Sequence, residues 1–157
     1  MHKKQTRPKN HDKPRSVVGP DSVPGDDQVL NFSFKYFDKS DKNFPITDCD
    51  IAFMLALLER MQYYGEMSIK DFVYEDSKEK RHILYWPLND YKGFPGPDPN
   101  EIGAEQSWQF CLHDGDKHHA TWRIHGFLRD NTFHVVWFDP NHFLTIESSK
   151  SGKSKRK

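Results

Sequence analysis

The chain has 157 residues and a mass of 18.5 kDa, enough for one domain with a core of its own. Only 35% of the residues are hydrophobic but 14% are aromatic, so we expect an aromatic core with part of the chain outside it. No apolar run reaches the ~20 residues of a membrane span, and no secretory signal follows the basic start. Two cysteines, Cys49 and Cys111, exclude a disulfide framework. We therefore predict a cytoplasmic protein without a membrane partner.

The formal net charge of zero hides two basic ends and an acidic middle. Residues 1–15 and 148–157 each carry a net charge of +5, whereas residues 16–147 carry 12 basic and 22 acidic side chains, a charge of −10. Such a region does not attract phosphate through its overall field, so nucleic-acid binding requires a local site or the ends.

These charges and the composition divide the chain into three parts. We predict a disordered basic tail and linker over residues 1–28, a single domain over 29–147 and a disordered basic tail over 148–157. The tails act either as solvating ends or as a tether to nucleic acid or the ribosome.

The first half of the domain begins with a strand and a long helix. Alternating apolar and polar residues over 29–37 predict a half-buried strand. Helical spacing over 45–64 predicts a helix, with Thr47 as its N-cap and Gly65 as the left-handed residue after its end. The stripe predicted to face the core consists of Ile51, Met54, Leu55, Leu58 and Met61.

A second helix and three further strands complete the predicted domain. The helix begins after Ser68, residues 82–86 are a possible short strand, and Pro and Gly make residues 87–101 an insertion without regular structure. The last three strands are predicted at 107–113, 120–128 and 132–138. The order β-α-α-β-β-β predicts an α+β fold with two helices on one face of a mostly antiparallel four-stranded sheet.

The last two strands form a predicted hairpin with a turn at Asp130 and Asn131. In that register Leu128 opposes Phe133, Gly126 opposes Val135, and Ile124 opposes Trp137. One face is then apolar, is extended by Trp122, and packs under the helices. We expect the other face to be open to a partner, and it carries Gln109, His113, Arg123, His125, His134, Phe127 and Phe138.

Six of the nine histidines lie between residues 113 and 142. They are either a solvated or hydrogen-bonded set, or include an acid/base residue, or bind zinc through neighbours such as His125 and His134. No recognised zinc spacing is present, so we predict no metal and no organic cofactor. The chain also lacks a P-loop, Gly-x-Gly-x-x-Gly and Gly-x-Ser-x-Gly, which excludes the common nucleotide-binding folds and serine hydrolases.

The segment Asp-Pro-Asn at residues 139–141 ends the last strand in a fixed turn, because proline removes a ladder donor and Asp and Asn bond the nearby backbone. The turn either only terminates the strand or also presents His142 beside Arg123, at one edge of the open face.

The element order, with W-R-I-H-G-F-L at 122–128 and F-H-V-V-W-F-D-P-N-H at 133–142, resembles the RelE/ParE toxin superfamily. The resemblance implies a metal-independent endoribonuclease that acts on mRNA, with the ribosome and an antitoxin as partners. RelE-like and YoeB-like members use an arginine on the third strand and a histidine near the end of the last strand. Arg123 and His142 occupy similar places, whereas Phe143 stands where the resemblance predicts tyrosine.

Two functional hypotheses follow from these observations. In the first, an RNA 2′-hydroxyl attacks the neighbouring phosphate, Arg123 stabilises the developing charge, His142 is the general acid or base, and His125 or Glu147 assists. The residues predicted to bind the substrate are Gln109, His113, His134 and Phe127. In the second, the chain is a non-catalytic protein-binding module, in defence, regulation or inhibition, whose acidic surface docks a basic protein.

Overall fold

The computed structural model describes residues 27–74, 81–96, 98, 107–112 and 120–145. The described regular elements are β1 (Asn31–Ser33), a 3-10 turn (Ile46–Asp48), α1 (Ile51–Gly65), α2 (Ile69–Tyr74), β2 (His82–Ile83), β3 (Ser107–Cys111), β4 (Arg123–Arg129) and β5 (Thr132–Asp139). Within these ranges no helix is both long and apolar enough to span a bilayer. The predicted basic tails lie outside the described residues, apart from Asp27 and Gln28.

The strands form one five-stranded sheet in the order β1-β5-β4-β3-β2. The predicted α+β class with two helices is confirmed, but the predicted count of four strands is wrong because β2 also pairs with the outer edge of β3. β1 lies parallel to β5, with Phe32 beside Phe133, and the other pairs are antiparallel. β1 is also shorter than predicted, since the chain turns after Ser33 and the amide of Phe37 donates to the carbonyl of Phe34 at 3.0 Å.

The two helices cover one face of the sheet, which we call the helix face. Phe53, Leu57 and Tyr64 of α1 and Phe72 of α2 are buried there against apolar side chains of the strands. As predicted, the core residues that lie in β3, β4 and β5 or directly beside them include Trp108, Phe110, Leu112, Trp122, Leu128, Phe133 and Val135. α2 begins as predicted, because the Ser68 hydroxyl oxygen accepts from the amide of Asp71 at 3.0 Å.

The orientation of α1 differs from the prediction. Ile51, Leu55 and Leu58 are 79%, 56% and 60% exposed, so most of the predicted stripe faces outward, whereas Met61 packs against the helix-face core as predicted. The buried face carries the larger rings of Phe53 and Tyr64, whose burial removes more apolar area from water.

The ends of α1 also differ from the prediction. Asp50, rather than Thr47, is the N-cap, and its Oδ1 accepts from the amide of Phe53 at 2.8 Å. Thr47 lies in the preceding 3-10 turn, and Gly65 is the last helical residue, without a left-handed conformation.

The opposite side of the sheet, which we call the loop face, is not open. A second core fills it, contributed by β4, β5 and loop segments that cross it: Phe44, Leu84, Phe94, Phe127, Val136, Trp137 and Leu144. Gln109, Arg123 and His125 are 1%, 3% and 0% exposed. The prediction of an open polar face is therefore wrong, because alternation within strands does not show which loops return to cover a face.

A bulge in the hairpin explains the remaining differences. Leu128 opposes Phe133 and Gly126 opposes Val135, as predicted, but His125 opposes Trp137, so β5 contains one extra residue. Beyond this point Ile124 pairs with Phe138 rather than with Trp137. The predicted sides of the last two aromatic residues are consequently exchanged: Trp137 enters the loop-face core, and Phe138 enters the helix-face core.

Candidate functional site: a buried polar cluster on the loop face

Polar side chains gather where β3 and β5 end and β4 begins. Cross-strand pairing places Cys111 beside Arg123, Arg123 beside Asp139, and Gln109 beside His125. The turn that follows β5 adds two more side chains. We call the following set the polar cluster: Gln109, Cys111, Arg123, His125, Asp139, His142 and Thr145.

A histidine–aspartate pair lies at the centre of the cluster. His125 Nε2 is 2.9 Å from Asp139 Oδ2, and both side chains are buried. Asp139 also accepts from the amide of Phe143 at 2.8 Å and from that of Leu144 at 3.0 Å. Asp139 thus anchors the turn after β5 to the sheet.

The hydrogen bonds set the charge of this carboxylate. Burial raises the pKa of Asp139, but the bond and charge of His125 and the two backbone amides outweigh it, so its pKa is below the ordinary value. Because the ionised carboxylate only accepts, His125 Nε2 donates. His125 Nδ1 is buried and has no hydrogen-bond partner among the described residues.

Arg123 is held by backbone carbonyls rather than by a carboxylate. Its Nη1 donates to the carbonyls of Ala120 at 2.7 Å and Trp122 at 3.1 Å, and lies 3.1 Å from Cys111 Sγ. Its Nε is buried and finds no acceptor in the part of the chain described. The guanidinium thus fixes the chain that enters β4.

His142 lies at the outer side of the cluster, with a left-handed φ of 57°. Its Nε2 is 2.6 Å from Thr145 Oγ1, and that hydroxyl is 3.1 Å from Gln109 Oε1. Since Thr145 has one proton and Gln109 Oε1 only accepts, the hydroxyl donates to Gln109 and accepts from His142. Burial and the positive charge of Arg123 lower the pKa of His142 to about 4, so its imidazole is neutral at pH 7.

The cluster unites four of the predicted site residues. Arg123, His142, His125 and Gln109 belong to it, but all of these except His142 are almost completely buried. Half-buried His142 and Thr145 are the members nearest the solvent.

Two other predicted substrate-binding residues lie outside the cluster, nearer the hairpin turn. The rings of Phe127 and His134 stack with centroids 4.9 Å apart, and Tyr36 lies edge-on to His134 at 5.3 Å. Burial and the charge of Arg129 lower the pKa of His134. Predicted residues His113 and Glu147 lie outside the described residues.

The sequence reasoning missed the polar contacts made by Asp139 and Thr145. Asp139 was interpreted only as a turn residue, although in a hairpin with the bulge it stands beside Arg123. Thr145 carries no comparable signal, because its position depends on how the turn folds back. No group of three potential metal-binding side chains occurs within the described ranges.

Comparisons with protein-family models, with curated proteins and with solved structures gave no match to this chain.

Proposed function

We propose that the protein is a non-catalytic binding module that docks another protein on the outer face of α1. The observation that carries this proposal is the exposure of four apolar side chains at helical spacing. We call them the α1 stripe: Ile51, Met54, Leu55 and Leu58. They follow the i, i+3, i+4, i+7 pattern by which helices contact one another.

The α1 stripe is not needed for the packing of the domain. The inner side of the same helix already supplies Phe53, Ala56, Leu57 and Tyr64 to the helix-face core. A helix that is apolar on both sides is typical of an element buried on both sides. A contiguous apolar patch on the surface is, in turn, typical of a protein interface.

The charge around the stripe indicates the chemistry of the partner. Exposed acidic residues lie before its first residue and after its last, namely Asp48, Asp50, Glu59 and Glu66. A second copy would bring the same negative charges together, which opposes self-association. We therefore favour an apolar segment flanked by lysine or arginine, which complements the charge of −10 over residues 16–147.

A designed amphipathic helical peptide of leucine and lysine tests the proposal by fluorescence anisotropy, beside a leucine–glutamate peptide of the same pattern. We expect binding of the lysine peptide only, weaker at high salt, and at least 10-fold weaker for the Leu55→Ser/Leu58→Ser variant. Tyr85→Ser is the matched control, because Tyr85 is 68% exposed but lies outside α1. Equal binding by wild type and the double variant would contradict the proposal, as would stripe-dependent dimerisation in sedimentation.

The endoribonuclease remains a second candidate because one observation favours it. Arg123 and the half-buried His142 belong to the same polar cluster, and burial together with the charge of Arg123 lowers the pKa of His142, so its imidazole is neutral at pH 7. In this mechanism His142 takes the 2′-hydroxyl proton and the 2′ oxygen bonds to phosphorus. The P–O5′ bond then breaks, which leaves a 2′,3′-cyclic phosphate, and the 5′ oxygen takes a proton from water.

RNA cleavage by wild type, His142→Asn and Thr145→Val separates the two candidates. The ribonuclease hypothesis predicts cleavage by wild type, its loss in His142→Asn, and a shifted pH profile in Thr145→Val. Absence of cleavage by the wild-type chain, with and without ribosomes, rejects it and leaves the binding module.

A further inference from the structure

A cavity of about 320 Å³ opens on the loop face, on the side of the sheet opposite α1. Two loop segments line it, Asp38 and Asp41 from one and residues 91–95 from the other, together with Trp137 of β5. None of these residues belongs to the polar cluster or to the α1 stripe.

Both carboxylates of the cavity are fixed in place by donors. Asp38 Oδ1 accepts from the amide and hydroxyl of Ser40 at 2.9 and 2.6 Å, and its Oδ2 accepts from Trp137 Nε1 at 3.3 Å. Asp41 holds the hydroxyl of Tyr91, which lies 2.8 Å from each of its oxygens. Asn43 Nδ2 donates to that hydroxyl at 2.8 Å.

The pKa of Asp38 is low enough for its carboxylate to be ionised near neutral pH. Burial raises this pKa, but the hydrogen bonds from Ser40 and Trp137 outweigh the effect and bring it below the ordinary value. The cavity therefore presents negative charge near neutral pH.

The remaining wall is aromatic and rigid. The rings of Tyr91 and Phe94 lie edge-on to Trp137, with centroids 4.9 and 5.2 Å away, and Phe44 stacks on Trp137 at 4.5 Å. The indole of Trp137 is itself fully buried and Phe94 is only 7% exposed, so a ligand in the cavity meets mainly the ring of Tyr91.

This combination favours an organic cation over an inorganic one. Hard metal ions need six or more oxygen ligands, whereas this cavity offers two aspartates and an apolar wall. A guanidinium is planar and weakly hydrated, stacks on aromatic rings, and donates to two carboxylates at once. An ammonium is a compact, strongly hydrated charge and suits an apolar wall less well.

Three lysines lie near the cavity and oppose a cation. Lys92 lines it, and Lys39 and Lys42 are exposed on the segment that carries the two aspartates. Within the described part of the chain, no ion pair joins Lys92 to either carboxylate. These charges weaken the site, so we expect millimolar affinity for an isolated group.

We propose that this cavity binds a guanidinium group, the side chain of an arginine presented by a peptide. The site is independent of the docking surface on α1, because the sheet lies between them. A partner that occupies one of the two faces does not have to reach the other.

Titration of the ¹⁵N-labelled chain with Nα-acetyl-arginine methylamide, followed by NMR, tests the proposal. We expect saturable shifts at the Gly93 amide and the Trp137 indole. The neutral citrulline analogue and the lysine analogue bind at least five-fold more weakly. Tetramethylammonium distinguishes a guanidinium site from a quaternary-ammonium site.

Four variants assign the binding to this cavity. Asp41→Asn and Asp38→Asn each weaken binding at least five-fold, and Lys92→Met strengthens it two- to three-fold. Asp90→Asn is the matched control, since Asp90 lies in the same loop with a φ of 69° that asparagine tolerates, and it does not line the cavity. The proposal is overturned by a lack of saturation, by equal binding of the citrulline analogue, by tighter binding of lysine or tetramethylammonium, or by unchanged binding in both Asp38→Asn and Asp41→Asn.

Discussion

The two faces of the sheet are covered in different ways. α1 and α2 cover the helix face mainly with apolar side chains, beside which Arg60 and Arg81 lie over aromatic rings, whereas the loop face combines an aromatic core with the polar cluster. Both sides are covered, yet among the described residues a buried arginine, histidine and aspartate occur on the loop face alone. The comparison shows that a polar strand face need not face solvent when most of its polar groups bond one another and the covering backbone.

The largest expected effect tests whether the two cores contribute equally to the stability of the domain. Phe133 on the helix face and Trp137 on the loop face are both fully buried. Truncation of either to alanine removes a large ring, so we expect each to lower the free energy of unfolding by about 4 kcal/mol. Urea denaturation followed by circular dichroism measures both. A loss below about 1 kcal/mol for Trp137→Ala would show that the loop face is only a surface layer.

Loss of the central carboxylate comes next. Asp139→Asn leaves His125 without its charged partner and weakens the anchor of the turn, so we expect a loss of about 3 kcal/mol at pH 7.

The pKa of Asp139 determines how this loss of stability depends on pH. Because the folded pKa of Asp139 is below the ordinary value, its stabilisation is present at neutral pH and is lost as pH falls below about 4. Denaturation at pH 7 and pH 3 should therefore show that the difference between wild type and Asp139→Asn narrows in acid. A difference that stays constant contradicts the ionised pair.

The bulge in the β4–β5 hairpin depends on Gly126. A Cβ at Gly126 would collide with the carbonyl oxygen of His134 and lie 2.5 Å from Cε1 of Phe133. We expect Gly126→Ala to lower stability by about 2 kcal/mol. Gly93→Ala is the control, since a Cβ there has no neighbour within 4 Å, and equal melting temperatures of the two variants would contradict this role of the bulge.

The same bulge marks how far the sequence could predict the structure. Alternation placed Trp108, Phe110 and Leu112 correctly, because a regular strand has a period of two. An extra residue reverses that alternation, and its local signal is the isolated Gly126 within the strand pattern, which does not show which residues of β5 change sides. Likewise, strand propensity does not specify the neighbour of a strand, so the parallel pairing of β1 with β5 was not foreseen.

The candidate site was likewise predicted only in part from the sequence. Arg123, His125 and His142 do come together, because they lie on adjacent strand ends and the following turn. The burial of Arg123 and His125 was missed, since alternation along a strand does not show that a loop residue such as Phe44 returns to lie 6.0 Å from the His125 ring.

A smaller effect on stability is expected from His142, which lies on the outer side of the polar cluster. The folded pKa of His142, about 4, is below its ordinary 6.5, so the unfolded chain binds more protons between these values. Stability should fall as pH drops from about 6.5 to 4, with this residue contributing about 1 kcal/mol after allowance for its partial exposure. His142→Asn, which tolerates the left-handed φ, should flatten this part of the profile. An unchanged slope contradicts the assignment.

The smallest expected effect concerns the layer that covers the helix face. Leu55 and Leu57 are neighbours on α1, but the first is 56% exposed and the second 1%. Leu55→Ser should change the free energy of unfolding by no more than about 0.5 kcal/mol, whereas Leu57→Ser should cost about 3 kcal/mol or more. Thermal melts of both variants measure this contrast. If Leu55→Ser destabilised the isolated chain as much as Leu57→Ser, the stripe would belong to the core of the domain. If Leu55→Ser instead kept its stability but lost peptide binding, the α1 stripe would serve docking and not folding, as the proposed binding module requires.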